Sequence, residues 1–354
     1  MNLENHYFKK LLKRVARSFY LTICLLPKVL REPIGLAYLL ARASDTIADQ
    51  ANLSYEEREQ VLRLLKELLE EGKDSKNFLL VQSQIESLVI EFQDIEKDLL
   101  LSLPTLLHQL YSKRRSYFEC KAIVTVWQHI LEGQLLDQKW NQVINLDSRA
   151  KHSVNPSVKC DRGSTDHQND LSNFDRRIHQ PTAYSLQPTA SIRPVSRIVT
   201  NRAPHVLSAE ELDRYLYLVA GSVGEFWTKL SSHYFSGFSK ESTETMREWG
   251  IAYGKGLQLT NILRDRKGDQ RSGRFYCEES QVPELIDQAL TYLQQGRFYV
   301  QTLSHRRLRY ASVLPLLIAE QTLALILKSP NEEGIKVSRW CVYLTLLRAL
   351  SFWI

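Results

Sequence analysis

Cysteine is sparse in this chain and nowhere clustered. Cys24, Cys120, Cys160, Cys277 and Cys341 number five and lack the close paired spacing of a thiolate metal site. An odd, scattered set also argues against a disulfide framework and fits thiols kept reduced, as in a cytoplasm. Unbroken apolar runs are missing as well. The two most apolar stretches, Val313 to Leu327 and Trp340 to Ile354, are interrupted by Glu320 and Gln321 and by Arg348. Both fall short of the roughly 20 apolar residues that a membrane span needs. They read as buried helices, the second with a bilayer surface as a further neighbour. Met1 to Lys13 is polar and basic, without an apolar core followed by small residues, so no secretory signal is expected there. Alternating apolar runs bounded by turn residues are scarce, which argues against a body built of sheet.

Helical periodicity, by contrast, is abundant. Apolar residues recur with a period near 3.6 across Glu56 to Glu71, Phe92 to Tyr111, Thr125 to Asp137 and Glu210 to Leu230, which predicts an all-α body. A hydrophobic content of 44% with 24% charged residues suits an ordinary soluble globular chain. One stretch departs from this pattern. From Asp147 to Val206 the sequence is rich in Ser, Asn, Pro, Thr, Arg and Asp, poor in large apolar residues, and reads as a polar, disordered insertion. It holds nine Lys or Arg against five Asp, and so four of the six net positive charges. The basic balance is therefore a property of the insertion, and nucleic acid is not an expected partner. Cys160, His167 and His179 lie inside it without paired metal spacing. Residues 1–146 and 207–354 together are long enough for one large helical domain.

Two Asp-x-x-x-Asp pairs stand out within that body: Asp45 with Asp49, and Asp265 with Asp269. On a helix this spacing sets both carboxylates on one face, one turn apart, where they repel. A single such pair is also what a solvated acidic face looks like. Here each pair is embedded among Leu, Ile and Ala and extended along its own stripe, by Tyr38 and Arg42 in the first case and by Gln258 and Asn261 in the second. Oxygen ligands repeated in this way suit a cluster of hard divalent cations. Held between two helices, such a cluster is a suitable grip for a diphosphate leaving group.

Five motifs in order carry a resemblance to the squalene/phytoene synthases, which join two prenyl diphosphates head to head. They are Arg17-Ser18-Phe19, Tyr38 to Asp49, Val219-Ala220-Gly221-Ser222-Val223-Gly224, Leu257 to Asp265, and Asp269 to Tyr276. The similarity is strong from Leu11 to about Tyr276, skips the insertion, and weakens through the C-terminal segments. Around Asp45 and from Val219 to Trp227 the chain resembles bacterial squalene synthases more than carotenoid enzymes. The resemblance implies an isoprenoid synthase bundle around a central apolar cavity with metals at its mouth. It implies Mg²⁺ (Mn²⁺ as a substitute) at Asp45, Asp49, Asn261, Asp265 and Asp269, with Tyr38 beside them in catalysis. Arg17, Ser18, Phe19, Arg42, Gln258, Arg264 and Arg274 would contact substrate, the arginines through phosphate-matching forks.

The implied reaction takes two farnesyl diphosphates through a cyclopropyl diphosphate to squalene, with hydride from NADPH. No Gly-x-Gly-x-x-Gly loop occurs, so the reductant would bind without a Rossmann unit. Phe19, Tyr20, Tyr38, Phe226 and Trp227 are expected to line the cavity. A phytoene or dehydrosqualene synthase, which uses no reductant, is the alternative; a class I terpene cyclase and a helical scaffold without catalysis are weaker ones. Two departures stand out. Leu218 sits where the resemblance implies a tyrosine just before Val219, with Tyr215 and Tyr217 nearby. Cys277-Glu278 replaces the Leu-Pro that often follows. A monomer is expected, cytoplasmic, with contact to a membrane surface through the basic N-terminal segment carrying Lys9, Lys10, Lys13 and Arg14 as a further expectation.

Overall fold

A computed structural model describes residues 3–16, 19–72, 77–89, 92, 94–152, 206–271 and 274–329. Arg17, Ser18, the stretch 330–354 and nearly all of the insertion lie outside the described residues. Within them the chain forms thirteen α-helices, and the only strand-like pairing is an isolated bridge between Ser239 and Leu303.

Helix α1 (Leu3–Val15) shows at once how the periodicity is used. Phe8, Leu11, Leu12 and Val15 are buried, while Lys9, Lys10, Lys13 and Arg14 face outward. Among the side chains described for α1, these apolar ones are spent on the core, and the exposed set is the four bases with Tyr7. After α2 (Phe19–Leu25), α3 (Lys28–Ala48) buries Leu36, Leu39, Leu40, Ala43 and Ile47 on one side. Helix α4 (Tyr55–Glu71) starts from a reciprocal capping box between Ser54 and Glu57 and stops at Gly72, whose φ of 82° suits glycine.

The single periodic run expected from Phe92 to Tyr111 folds as two helices, α6 (Asp94–Leu101) and α7 (Leu103–Leu110), after α5 (Asn77–Leu88). Pro104 explains the break: it lacks the N–H that would continue the ladder and clashes with the preceding turn. Helix α8 (Tyr117–His152) is longer than its apolar core of Thr125 to Asp137 and runs past Asp147, where the insertion was expected to begin.

Expected as one helix over Glu210 to Leu230, the next segment is interrupted. Helix α9 (Ala209–Leu216) passes through a π-helical turn, Tyr217–Gly221, into α10 (Ser222–Tyr234). This turn holds Val219, Ala220 and Gly221, the first half of the Val-Ala-Gly motif. A Cβ placed on Gly224 would lie 1.8 Å from the Gly250 carbonyl oxygen, and one on Gly254 would lie 2.2 Å from that of Ala220. The glycines therefore allow α10 to touch α11 (Thr243–Arg271) backbone to backbone. Helices α12 (Val282–Thr302) and α13 (Arg306–Lys328) close the bundle. By length and composition α13 could cross a membrane, yet half of its most apolar window is buried in the bundle.

Candidate active site

Helices α3, α8, α10 and α11, with the end of α9, surround a cavity of about 430 Å³. Its lower wall is apolar, with Ile34, Ala37, Val126, Ile130, Val219, Val223 and Phe226 among the lining side chains. Its mouth is acidic. Asp45 lies in the last turn of α3, and Asp49 caps that helix, its backbone N–H bonded to the Asp45 carbonyl at 2.9 Å. Asp265 and Asp269 lie near the end of α11. All four line the same cavity together with Tyr38, Arg42, Gln258, Asn261, Phe19 and Arg274. The two stripes, more than two hundred residues apart in sequence, are thus brought together across one opening.

Arg264 departs from this set. It follows Leu263 and precedes Asp265, a step of about 100° around the helix, so it lines a neighbouring groove against α13 with Phe19 and Asn261. Its guanidinium reaches back to pair with Asp265. Tyr20 departs as well. Adjacent to Phe19 on α2, it cannot face the same way, and its hydroxyl lies against Cys24. The other four expected lining aromatics are in place, with Phe19 and Tyr38 packed at a ring separation of 4.9 Å.

Three carboxylates of the mouth are held by arginine. Arg42 Nη1 is 3.0 Å from Asp45, Arg274 Nη2 is 3.1 Å from Asp49, and Arg264 Nε is 2.9 Å from Asp265. About half of the Asp45 side chain stays open to the cavity, although protein encloses it on the remaining sides. That burial raises its pKa, with Asp49 adding to the rise, while Arg42 and the Gln134 amide, 3.2 Å away, act against it. Asp269 is pushed up to about 6 by burial, with Asp265, Asp137 and Asp49 adding to the rise and Arg274 opposing it. Burial works against the Arg274 charge, but Asp137, Tyr276 and Asp49 outweigh it and raise its pKa.

Helix α8 supplies a wall that sequence reasoning did not single out. Trp127 Nε1 donates to Ser44 Oγ, Gln134 Nε2 to Asp45, and Gln138 Nε2 to the Ala48 carbonyl at 2.7 Å. These bonds clamp the end of α3 that carries the first acid pair. Asp137, buried on the same helix, accepts a 2.7 Å hydrogen bond from Tyr276 and lies 3.9 Å from Arg274 Nε. Tyr276 in turn stacks on Tyr215, their hydroxyls 3.5 Å apart. Burial raises the pKa of both phenols, so each stays protonated. Tyr215, not the position before Val219, is what brings a hydroxyl from this segment to the cavity: Leu218 is buried, and Tyr217 donates to Glu225 instead. An i, i+4 count shows none of this, because Asp137 has no partner acid on its own helix and Tyr215 and Tyr276 meet only in the fold.

The donors at the mouth are all oxygens, from four carboxylates and the Asn261 amide, which fits a hard divalent cation and no soft one. Among the described residues no three His, Cys, Asp or Glu side chains converge on a single point. That suits Mg²⁺, which is usually held by one or two carboxylates with water and substrate phosphate completing its shell.

A helical bundle with such a cavity is of the isoprenoid synthase class. The solved structure of TcSQS in complex with the ligand BPH1237 superposes with a TM-score of 0.63 at 16% identity, covering 98% of this chain and 86% of that one. At that identity the likeness concerns the fold. The chain belongs to the squalene/phytoene synthase family, whose profile matches residues 12–117 and 188–277, more than half of its length. Members of this family are prenyltransferases and depend on Mg²⁺. Phytoene synthase 3, chloroplastic, of Zea mays is 40% identical over 75 residues, 21% of this chain and 17% of the relative. Botryococcus squalene synthase of Botryococcus braunii is 46% identical over 59 residues, 17% of this chain and 13% of the relative. The chain thus spans less than a fifth of the length of either curated relative.

Proposed function

We propose that this protein joins two farnesyl diphosphates head to head and, given NADPH, reduces the cyclopropyl diphosphate so formed to squalene. The observation that carries the reading is the mouth of the cavity, where acids and arginines from the ends of α3 and α11 and the segments just beyond them meet above an apolar pocket. Asp45, Asp49, Asn261, Asp265 and Asp269 would hold Mg²⁺, which when bound offsets the negative charge of the departing diphosphate. Arg42 and Arg274 then turn their forks from carboxylate to phosphate oxygens, with Arg264 reaching in from the adjoining groove. The C–O bond of one substrate breaks and leaves an allylic cation over Phe19, Tyr38 and Trp227. Aromatic faces favour that charge, and the apolar wall keeps water from it.

The double bond of the second substrate attacks, and a proton must leave as the cyclopropane closes. Tyr215 offers the route: its hydroxyl takes that proton while passing its own through Tyr276 to Asp137. A second C–O cleavage and rearrangement follow, and hydride from NADPH ends the sequence. The match to a phytoene synthase of Zea mays favours a second reading in which proton loss ends it instead.

Incubation with farnesyl diphosphate and Mg²⁺, with and without NADPH, followed by identification of the hydrocarbon, separates the two. Squalene only with NADPH is expected. The same hydrocarbon under both conditions, or preference for geranylgeranyl diphosphate, would move the assignment to a dehydrosqualene or phytoene synthase. Basic side chains on α1 would add attraction to an anionic bilayer into which so apolar a product could leave, and vesicle flotation of the protein tests that contact.

A further inference from the structure

A second hollow lies behind the cavity wall. On the outer side of the α8–α10 contact is a groove of about 280 Å³, lined by Phe118, Ala122 and Thr125 with polar groups from Lys121, His129 and Lys229. Two side chains, Val126 and Phe226, line both this groove and the central cavity. Both are buried, at 4% and 5% exposure. They form the partition between the two spaces.

The partition stands at the end of the cavity remote from the acids. Along α8 the cavity is lined in turn by Val126, Ile130, Gln134 and Asp137, from apolar to polar. At 1.5 Å per residue, Val126 is about 16 Å down the helix axis from Asp137. A stretched farnesyl chain fills that distance, and a geranylgeranyl chain, longer by one isoprene unit, overruns it.

We propose that Phe226, which shares the partition with Val126, is the stop that sets the prenyl chain length of this enzyme. Its ring ends the cavity at farnesyl length and closes the passage into the outer groove. The inference rests on the head-to-head prenyl transfer proposed above. Shortening the ring joins the two hollows, so that the terminal isoprene of a longer chain passes between α8 and α10.

The test is a competition between farnesyl and geranylgeranyl diphosphates with Mg²⁺, read as the ratio of their kcat/KM values. Phe226→Ala should shift the ratio toward the longer substrate at least tenfold, and Phe226→Leu and Val126→Ala should shift it less in the same direction. These two smaller changes carry the test if Phe226→Ala does not fold. Phe238→Ala, at an equally buried phenylalanine outside the cavity, should leave the ratio unchanged and so controls for general loosening. Wild-type protein that uses farnesyl diphosphate while every folded partition variant keeps its ratio would overturn the stop and leave the functional reading standing. Wild-type preference for the longer substrate would also overturn the stop. Turnover of neither diphosphate would overturn the functional reading and this inference with it.

Discussion

Four aspartates at one cavity mouth repel each other, and the neighbouring arginines account for how the fold accommodates them. With Arg42, Arg274 and Arg264 on Asp45, Asp49 and Asp265, charge is offset locally, and under the proposed function cations would take the place of the arginines. Asp45→Asn or Asp265→Asn should therefore lower turnover at least a hundredfold while far-ultraviolet circular dichroism stays unchanged. Near-normal rates at saturating Mg²⁺ would remove that residue from the site. Asp269 lends itself to a pH test. Its folded pKa of about 6 lies above the ordinary value of 3.8, so the shift destabilises the fold. The penalty is absent below the ordinary value, grows as pH rises between the two, and is complete above the higher. Metal-free Asp269→Asn should accordingly melt higher than wild type at pH 7.5, with the advantage fading toward pH 4. The same variant should lose part of the stabilisation given by Mg²⁺ with pyrophosphate. A variant destabilised at pH 7.5 would mean that the attraction of Arg274 outweighs the burial.

At the scale of elements, helical period found α4 almost to the residue, because Ser54, Glu57 and Gly72 mark its ends as clearly as its apolar stripe marks its face. Where interruption is local the pattern misled. Pro104 splits the Phe92 to Tyr111 run, and the π-helical turn at Tyr217–Gly221 hides inside an apolar sequence that reads as continuous. Apolar periodicity senses burial along one helix, not an extra residue per turn. The glycines of the Val-Ala-Gly motif were legible as a motif, but their reason, backbone contact between α10 and α11, lies across space. That contact holds Val219 and Val223 in the cavity wall that Gln258 and Asn261 also line. Gly224→Ala should cost about 1–3 kcal/mol or more through overpacking. For a chain of this size it should lower Tm by several degrees, which a thermal melt measures. An unchanged melting temperature would show that the two helices can part without loss.

Across the whole molecule, the legible part of the site was the part written twice. Each acid pair belongs to a stripe at helical spacing, and all eight residues of the two stripes line one cavity. The roles of Asp137, Gln134 and Tyr215 were not legible, since each acts through a partner distant in sequence that only the fold brings near. The architecture that joins these halves has a consequence for binding. Because no three acidic or imidazole side chains converge among the described residues, Mg²⁺ alone has an incomplete shell and should bind weakly. Pyrophosphate alone meets arginines already paired with carboxylates of its own sign. Together the two would satisfy both sets: the carboxylates would hold the cations, the arginines would be freed for phosphate, and phosphate oxygens would complete both shells. Stabilisation follows RT ln(1 + [L]/Kd), so about 100 Kd of a ligand is worth about 2.7 kcal/mol. Differential scanning fluorimetry should show small shifts with 5 mM of either component, roughly speaking, and a shift well above their sum with both. Asp45→Asn and Asp265→Asn should each abolish the excess, since either helix alone holds only half of the mouth. Additive shifts, or full stabilisation by Mg²⁺ without pyrophosphate, would contradict the exchange of arginine for metal between α3 and α11.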